Sequence, residues 1–156
     1  MSELRELYQQ IILDHNKNPR NFGPLADANR HQEGYNPLCG DHLHVHLQLE
    51  GDVIQGISFE GSGCAISVAS ASLLTDAIIG LSVDKAETIF SAVTRRLTHR
   101  GADERGNIDV ELDKPLDKIK ALDGVREFPS RVKCATLAWH ALHSALRQDA
   151  QPATTE

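Results

Sequence analysis

The feature that most constrains the fold of this chain is an abrupt change in the period of its apolar residues. Leu43, Val45, Leu47 and Leu49 alternate with His42, His44, His46 and Gln48, a period of two that gives an extended strand one apolar face. After the turn signal Glu50-Gly51-Asp52 a second run passes through Val53, Ile57 and Phe59, which predicts a β-hairpin with one buried face. Beyond Gly61-Ser62-Gly63 the spacing turns helical. Ile66, Val68, Ala69, Leu73, Leu74, Ala77 and Ile78 sit in a run rich in Ala and Ser that closes at Gly80. Side chains this small predict a helix that packs closely on its neighbours.

Further helices follow from the same periodicity. Leu4, Leu7, Tyr8, Ile11 and Ile12 predict one near the start, with Ser2 as N-cap and a stop between Asn16 and Pro19. Ala86, Ile89, Phe90, Val93 and Leu97 line another over 84–97, capped by Ser82. Pro115 opens a short helix to Leu122, and an Ala-rich helix containing Trp139 runs over 131–147. Turn signals fill Asn18 to Asp41, read as one or two long ordered loops, and Thr98 to Lys114 is read as an exposed connection. The order of elements predicts an α+β fold, a small antiparallel β-sheet with helices packed on one face. It occupies a single domain over 1–147, with 148–156 as a frayed tail.

Of the 156 residues, 40% are hydrophobic and 24% charged, which excludes a wholly disordered chain. A formal net charge of -6 works against a general affinity for phosphate backbones or anionic membranes. The N-terminus lacks the apolar core of a signal peptide, and no apolar run approaches membrane-spanning length. The expectation is a soluble, cytoplasmic protein with neither nucleic acid nor membrane as partner.

The cysteines, Cys39, Cys64 and Cys134, are odd in number and far apart, which argues against a disulfide framework. Cys39 sits in the turn Asn36-Pro37-Leu38-Cys39-Gly40-Asp41, where Asp41 can turn its carboxylate toward the same point. Cys64 follows Gly-Ser-Gly at a predicted helix start, where unpaired N–H groups and the helix dipole favour an anion. Cys134 is read in the first turn of the last helix, near Arg126, Arg131 and Lys133. Three thiolates and one carboxylate make a tetrahedral set for zinc, or for iron in an iron-sulfur cluster. The competing reading is three inert, buried thiols, since no CxxC knuckle is present. His42, His44 and His46 are read as the solvated side of their strand, His140 and His143 as surface or packing residues, and Arg95, Arg96 and Arg100 as a solvated basic cluster. A cysteine hydrolase or phosphatase is disfavoured, because neither the phosphate-loop Arg nor a protease His context accompanies Cys64.

Asn36-Pro37-Leu38-Cys39-Gly40-Asp41, Gly61-Ser62-Gly63-Cys64-Ala65-Ile66-Ser67 and Lys133-Cys134-Ala135-Thr136-Leu137-Ala138-Trp139, in this order, closely resemble the iron-sulfur assembly proteins of the NifU N-terminal family. The likeness is greatest to its SufU branch. The resemblance implies Cys39, Asp41, Cys64 and Cys134 as metal ligands, with zinc as the ion, or alternatively iron or an iron-sulfur cluster. It implies that a SufS-type cysteine desulfurase donates persulfide sulfur to Cys39, with Asp41 releasing that thiolate and Arg126 steadying charge. The alternative it implies is a scaffold that builds a cluster and passes it on, with an apo iron-sulfur acceptor or other Suf assembly proteins as partners. IscU-type scaffolds carry a His before the third cysteine, where this chain has Lys133, and their chaperone-read Leu-Pro-Pro-Val-Lys run is here Phe128-Pro129-Ser130-Arg131-Val132-Lys133.

Overall fold

The computed structural model describes residues 2–37, 40–98, 121–122, 129–147 and 153–154. Its elements run α1 (Ser2–Lys17), β1 (Arg30–Asn36), β2 (Asp41–Glu50), β3 (Val53–Ser62), α2 (Ala65–Ile78), α3 (Val83–Thr98), α4 (Pro129–Arg147) and β4 (Ala153–Thr154). The strand order is β3-β2-β1-β4. β2 pairs antiparallel with both β1 and β3, and β4 runs parallel to β1 at Gly34 and Tyr35. The architecture is α+β, as the change of period predicts.

The alternation on β2 does what its period requires. Leu43, Val45 and Leu47 are buried while the intervening histidines face outward. α2 and α4 pack against the sheet and α3 packs on α4, and the core they share holds Leu73, Leu74 and Ile78 of α2, Ile89, Val93 and Leu97 of α3, and Leu137, Trp139 and Leu142 of α4. α1 packs on α2 rather than on the sheet, with Ile11 and Ile12 against the core and His15 buried beside Ser72. α2 ends as expected, with Gly80 at φ 84° after its C-cap, and the Ser82 hydroxyl accepts the Lys85 N–H at 3.2 Å to cap α3. Among the described residues no helix is long and apolar enough to cross a membrane.

The structure corrects the expected loop between Asn18 and Asp41, because seven of its residues form β1. Arg30-His31-Gln32-Glu33-Gly34-Tyr35-Asn36 has no apolar alternation, and its buried positions are Gly34 and Asn36. What places it is α4. A Cβ on Gly34 would lie 3.2 Å from both Ala141 Cβ and Leu137 Cδ1, so the missing side chain is what lets the helix approach the strand. In the segment expected to fray, Ala153–Thr154 pair with β1, and the rest of 148–156 lies outside the described residues. Of the short helix expected over 115–122, only Ala121 and Leu122 are described, both buried. The connection over 99–114 also lies outside them.

Candidate metal centre

The end of β1, the start of β2, the start of α2 and the buried face of α4 meet at one edge of the inner sheet face. Asp41 opens β2 two residues before Leu43, so the strand period turns its carboxylate inward, and it is wholly buried. Its partner in the β1–β2 register is Asn36, also wholly buried. From the other side β3 ends at Ser62, and Gly63 carries the chain to Cys64, the N-cap of α2. α4 contributes Cys134 from its core-facing side.

These elements bring three of the four expected ligands together. A carboxylate oxygen of Asp41 and the sulfurs of Cys64 and Cys134 all lie within 4.8 Å of one another. Ligand atoms of a tetrahedral zinc with bonds of about 2.1–2.3 Å stand about 3.5–3.8 Å apart, so small side-chain rotations would close the set. The Cys64 N–H donates to Asp41 Oδ1 at 2.9 Å, so the carboxylate occupies the anion position at the start of α2. Asn36 Nδ2 donates to Asp41 Oδ2 at 3.2 Å and reaches Cys134 Sγ at 3.6 Å, one amide holding carboxylate and thiol in fixed relation.

Two glycines make room for this approach. Gly61 has φ 130°, and a Cβ there would run into His42 O and Leu43 Cα across the hairpin. A Cβ on Gly63 would strike Ser67 Oγ and stand 2.7 Å from Asp41 Oδ1. The Gly-Ser-Gly segment therefore lets the backbone close over the carboxylate before the helix begins.

The donor set suits a cation. A buried carboxylate is costly unless a positive charge or metal compensates it, and among the described residues no lysine or arginine pairs with Asp41. Asn36 Oδ1 is buried with no hydrogen-bond partner among the described residues, a further unmet acceptor beside the carboxylate. Asp41 and Cys134 are sealed from solvent, whereas Cys64 is half-buried and is flanked by exposed Gly63 and Ala65. Of these three side chains, only Cys64 reaches toward solvent.

The remaining predicted residues fall as follows. Cys39 and Arg126 lie outside the described residues. Cys134 is not in the first turn of its helix: α4 begins at Pro129, whose fixed φ suits the first helical position, and Cys134 is one turn further in. Its placement rests on packing in the core rather than on the helix terminus. Arg131 is exposed and Lys133 half-buried. His140 is held below the ordinary imidazole range, by burial first and the neighbouring charge of His143 second. His143 Nδ1 pairs with Glu87 Oε1 at 2.6 Å. Sequence reasoning missed Asn36, quoted only as part of a turn, because its register opposite Asp41 appears only once β1 is recognised.

Residues 7–135 match the NifU-like N-terminal domain. The chain belongs to that family. As a NifU-like protein it is 40% identical over 148 residues to the zinc-dependent sulfurtransferase SufU of Bacillus subtilis, covering 95% of each chain. It is 37% identical over 150 residues to the iron-sulfur cluster assembly scaffold protein IscU of Streptococcus pyogenes, covering 96% of this chain and 89% of the relative. Among solved structures, a candidate iron-sulfur cluster assembly scaffold protein for the SUF system from Fervidobacterium islandicum superposes with a TM-score of 0.75 at 30% identity, over 94% of this chain and 99% of that one. The N-terminal part of a NifU-like protein from Brucella abortus shares the fold, with a TM-score of 0.78 at 24% identity over 94% of this chain and 96% of that one. The resemblance carried by the three cysteine motifs is thus upheld, and the NifU-like chain stands among the SufU- and IscU-type iron-sulfur assembly proteins.

Proposed function

We propose that this chain is a zinc-dependent sulfur acceptor that takes persulfide sulfur from a SufS-type cysteine desulfurase. The observation that carries the reading is the meeting of Asp41, Cys64 and Cys134 at one point, with Cys39 only two residues before Asp41 in the sequence. The SufU relative, similar over nearly the whole chain, is itself named a zinc-dependent sulfurtransferase. Lys133 directly before Cys134 supports the same branch.

On this reading Cys39, Asp41, Cys64 and Cys134 hold the zinc, which when bound keeps its thiol ligands deprotonated and guarded from oxidation. Cys39 is the acceptor. Its thiolate attacks the terminal sulfur of the desulfurase persulfide; a new S–S bond forms, the old one breaks, and the desulfurase cysteine leaves as a thiolate. A turn between Pro37 and Gly40 can shift at less cost than a residue fixed in a core helix, which favours Cys39 over Cys134 for this role. Asn36 keeps Asp41 oriented while the thiolate is engaged, through the amide hydrogen bond to Oδ2. Arg126 steadies the negative charge on the transferring sulfur.

The IscU likeness favours a second reading, a scaffold that assembles a cluster on the same side chains and delivers it to an apo iron-sulfur acceptor. One experiment separates the two. Zinc-loaded chain is added to a SufS-type desulfurase and turnover is followed, while a parallel anaerobic reconstitution is tested for cluster transfer to an apo-ferredoxin. The sulfur-acceptor reading expects turnover to rise with the wild type, no rise with Cys39→Ala, and no transferable cluster. Unchanged turnover, or a Cys39→Ala variant equal to wild type, would reject it, and cluster transfer would favour the scaffold.

A further inference from the structure

The outer face of the sheet holds a constellation that the sequence reading took as merely solvated. His42 and His44 project from β2 on the side away from the core, and Glu33 of β1 lies directly opposite His44 in the register. Glu33 Oε1 is 3.8 Å from His42 Nε2, and Glu33 Oε2 is 3.8 Å from His44 Nε2. Both separations are too long for hydrogen bonds. One carboxylate therefore faces two imidazole edges without closing on either, and one ligand atom from each residue lies within 4.8 Å of the others.

The neighbouring histidines behave differently. His46 Nε2 meets Glu60 Oε1 at 2.9 Å and His46 Nδ1 meets His31 Nδ1 at 2.8 Å, so that ring is committed at both nitrogens. His44 stacks over it, with centroids 6.5 Å apart and planes 17° apart, which gives one flank of the His44–Glu33 cluster a fixed wall.

We propose that Glu33, His42 and His44 form a second metal site, for a divalent first-row transition ion such as zinc, on the face of the sheet opposite Asp41. Imidazole nitrogens and a carboxylate oxygen are the donor types such ions take, and about 2.1 Å from the ion they would stand about 3.4 Å apart in a tetrahedral arrangement. Each imidazole is 3.8 Å from its nearer carboxylate oxygen and the three-atom set lies within 4.8 Å, so closing it on an ion takes side-chain rotations of about 1 Å in side chains that are nearly half exposed. Three protein ligands leave the outward coordination position to water. The two sites are chemically distinct, sulfur-rich within and nitrogen- and oxygen-based without. Asp41 and His42 are consecutive, so the strand period alone sends one inward and the other outward.

The test is calorimetric titration of the untagged full chain with zinc sulfate, in the wild type and in Cys64→Ser. The proposal expects one binding event that persists in Cys64→Ser, so its outcome is read apart from that of the inner site. Glu33→Gln and His44→Ala should each weaken that event by about tenfold or more, since losing even an outer-shell partner costs a metal site about 10- to 100-fold. Glu33→Gln, a near-isosteric change at a half-buried position, keeps the test valid should His44→Ala perturb the sheet. Absence of any event in Cys64→Ser, or an event that Glu33→Gln and His44→Ala both leave unchanged, would overturn the proposal.

Discussion

At the scale of single residues, the inner cluster depends on two groups that carry no metal-ligand chemistry of their own. Asn36 links the carboxylate to the Cys134 sulfur, and Gly63 gives up the volume that the carboxylate fills. Gly63→Ala puts a methyl 2.7 Å from Asp41 Oδ1, a separation that real Cβ atoms avoid, so the carboxylate must turn away. We expect this variant to lose about 10- to 100-fold in zinc affinity at the inner site, as disturbed positioning of a ligand does elsewhere. Competition with a chromophoric chelator checks it. Retention of wild-type affinity would mean that Asp41 is not a ligand. Asp41, Cys64 and Cys134 were legible in the sequence because each stands beside punctuation, a turn or a change of period. Asn36 was not, because its role follows from a strand register that no local pattern announces.

At the scale of elements, the serines of α2 do more than permit close packing, which was all that their size suggested. Ser70 Oγ donates to Ala135 O at 2.6 Å and accepts the indole N–H of Trp139 at 3.1 Å, pinning α2 to α4 inside the core. Ser72 Oγ sits 2.7 Å from His15 Nδ1 and accepts the Arg20 N–H at 2.8 Å, holding α1 and the chain after it. Ser70→Ala leaves the Trp139 N–H buried without that partner and should cost about 1–3 kcal/mol, read from urea unfolding at constant m-value. A change under about 0.5 kcal/mol would show that the indole N–H finds another acceptor. Both contacts join residues far apart in the chain, so periodicity could locate the helices but not the hydroxyls that lock them. β1 escaped for a related reason: its place is set by the absent side chain of Gly34 under α4, not by any apolar residue of its own.

At the scale of the whole molecule, the sheet separates two chemistries by direction alone. Its inner face carries the core and, at one edge, the sulfur-rich cluster; its outer face carries the histidines. The inner cluster draws on β2, the start of α2 and the second turn of α4, so it can close only when the hairpin, the small-residue helix and the C-terminal helix are all docked. Metal bound there should stabilise the fold as a unit, since the unfolded chain offers no such preformed site. The three cysteine motifs made the class of fold readable from the sequence, whereas spacing along the chain left the convergence of their side chains open. The most direct test of that convergence is zinc-edge X-ray absorption on the full chain purified without added metal. The account predicts a shell of sulfur at about 2.3 Å with one oxygen at about 2.0–2.2 Å, and loss of sulfur from that shell in Cys64→Ser and in Cys134→Ser. A shell dominated by imidazole, or one that neither substitution alters, would contradict it.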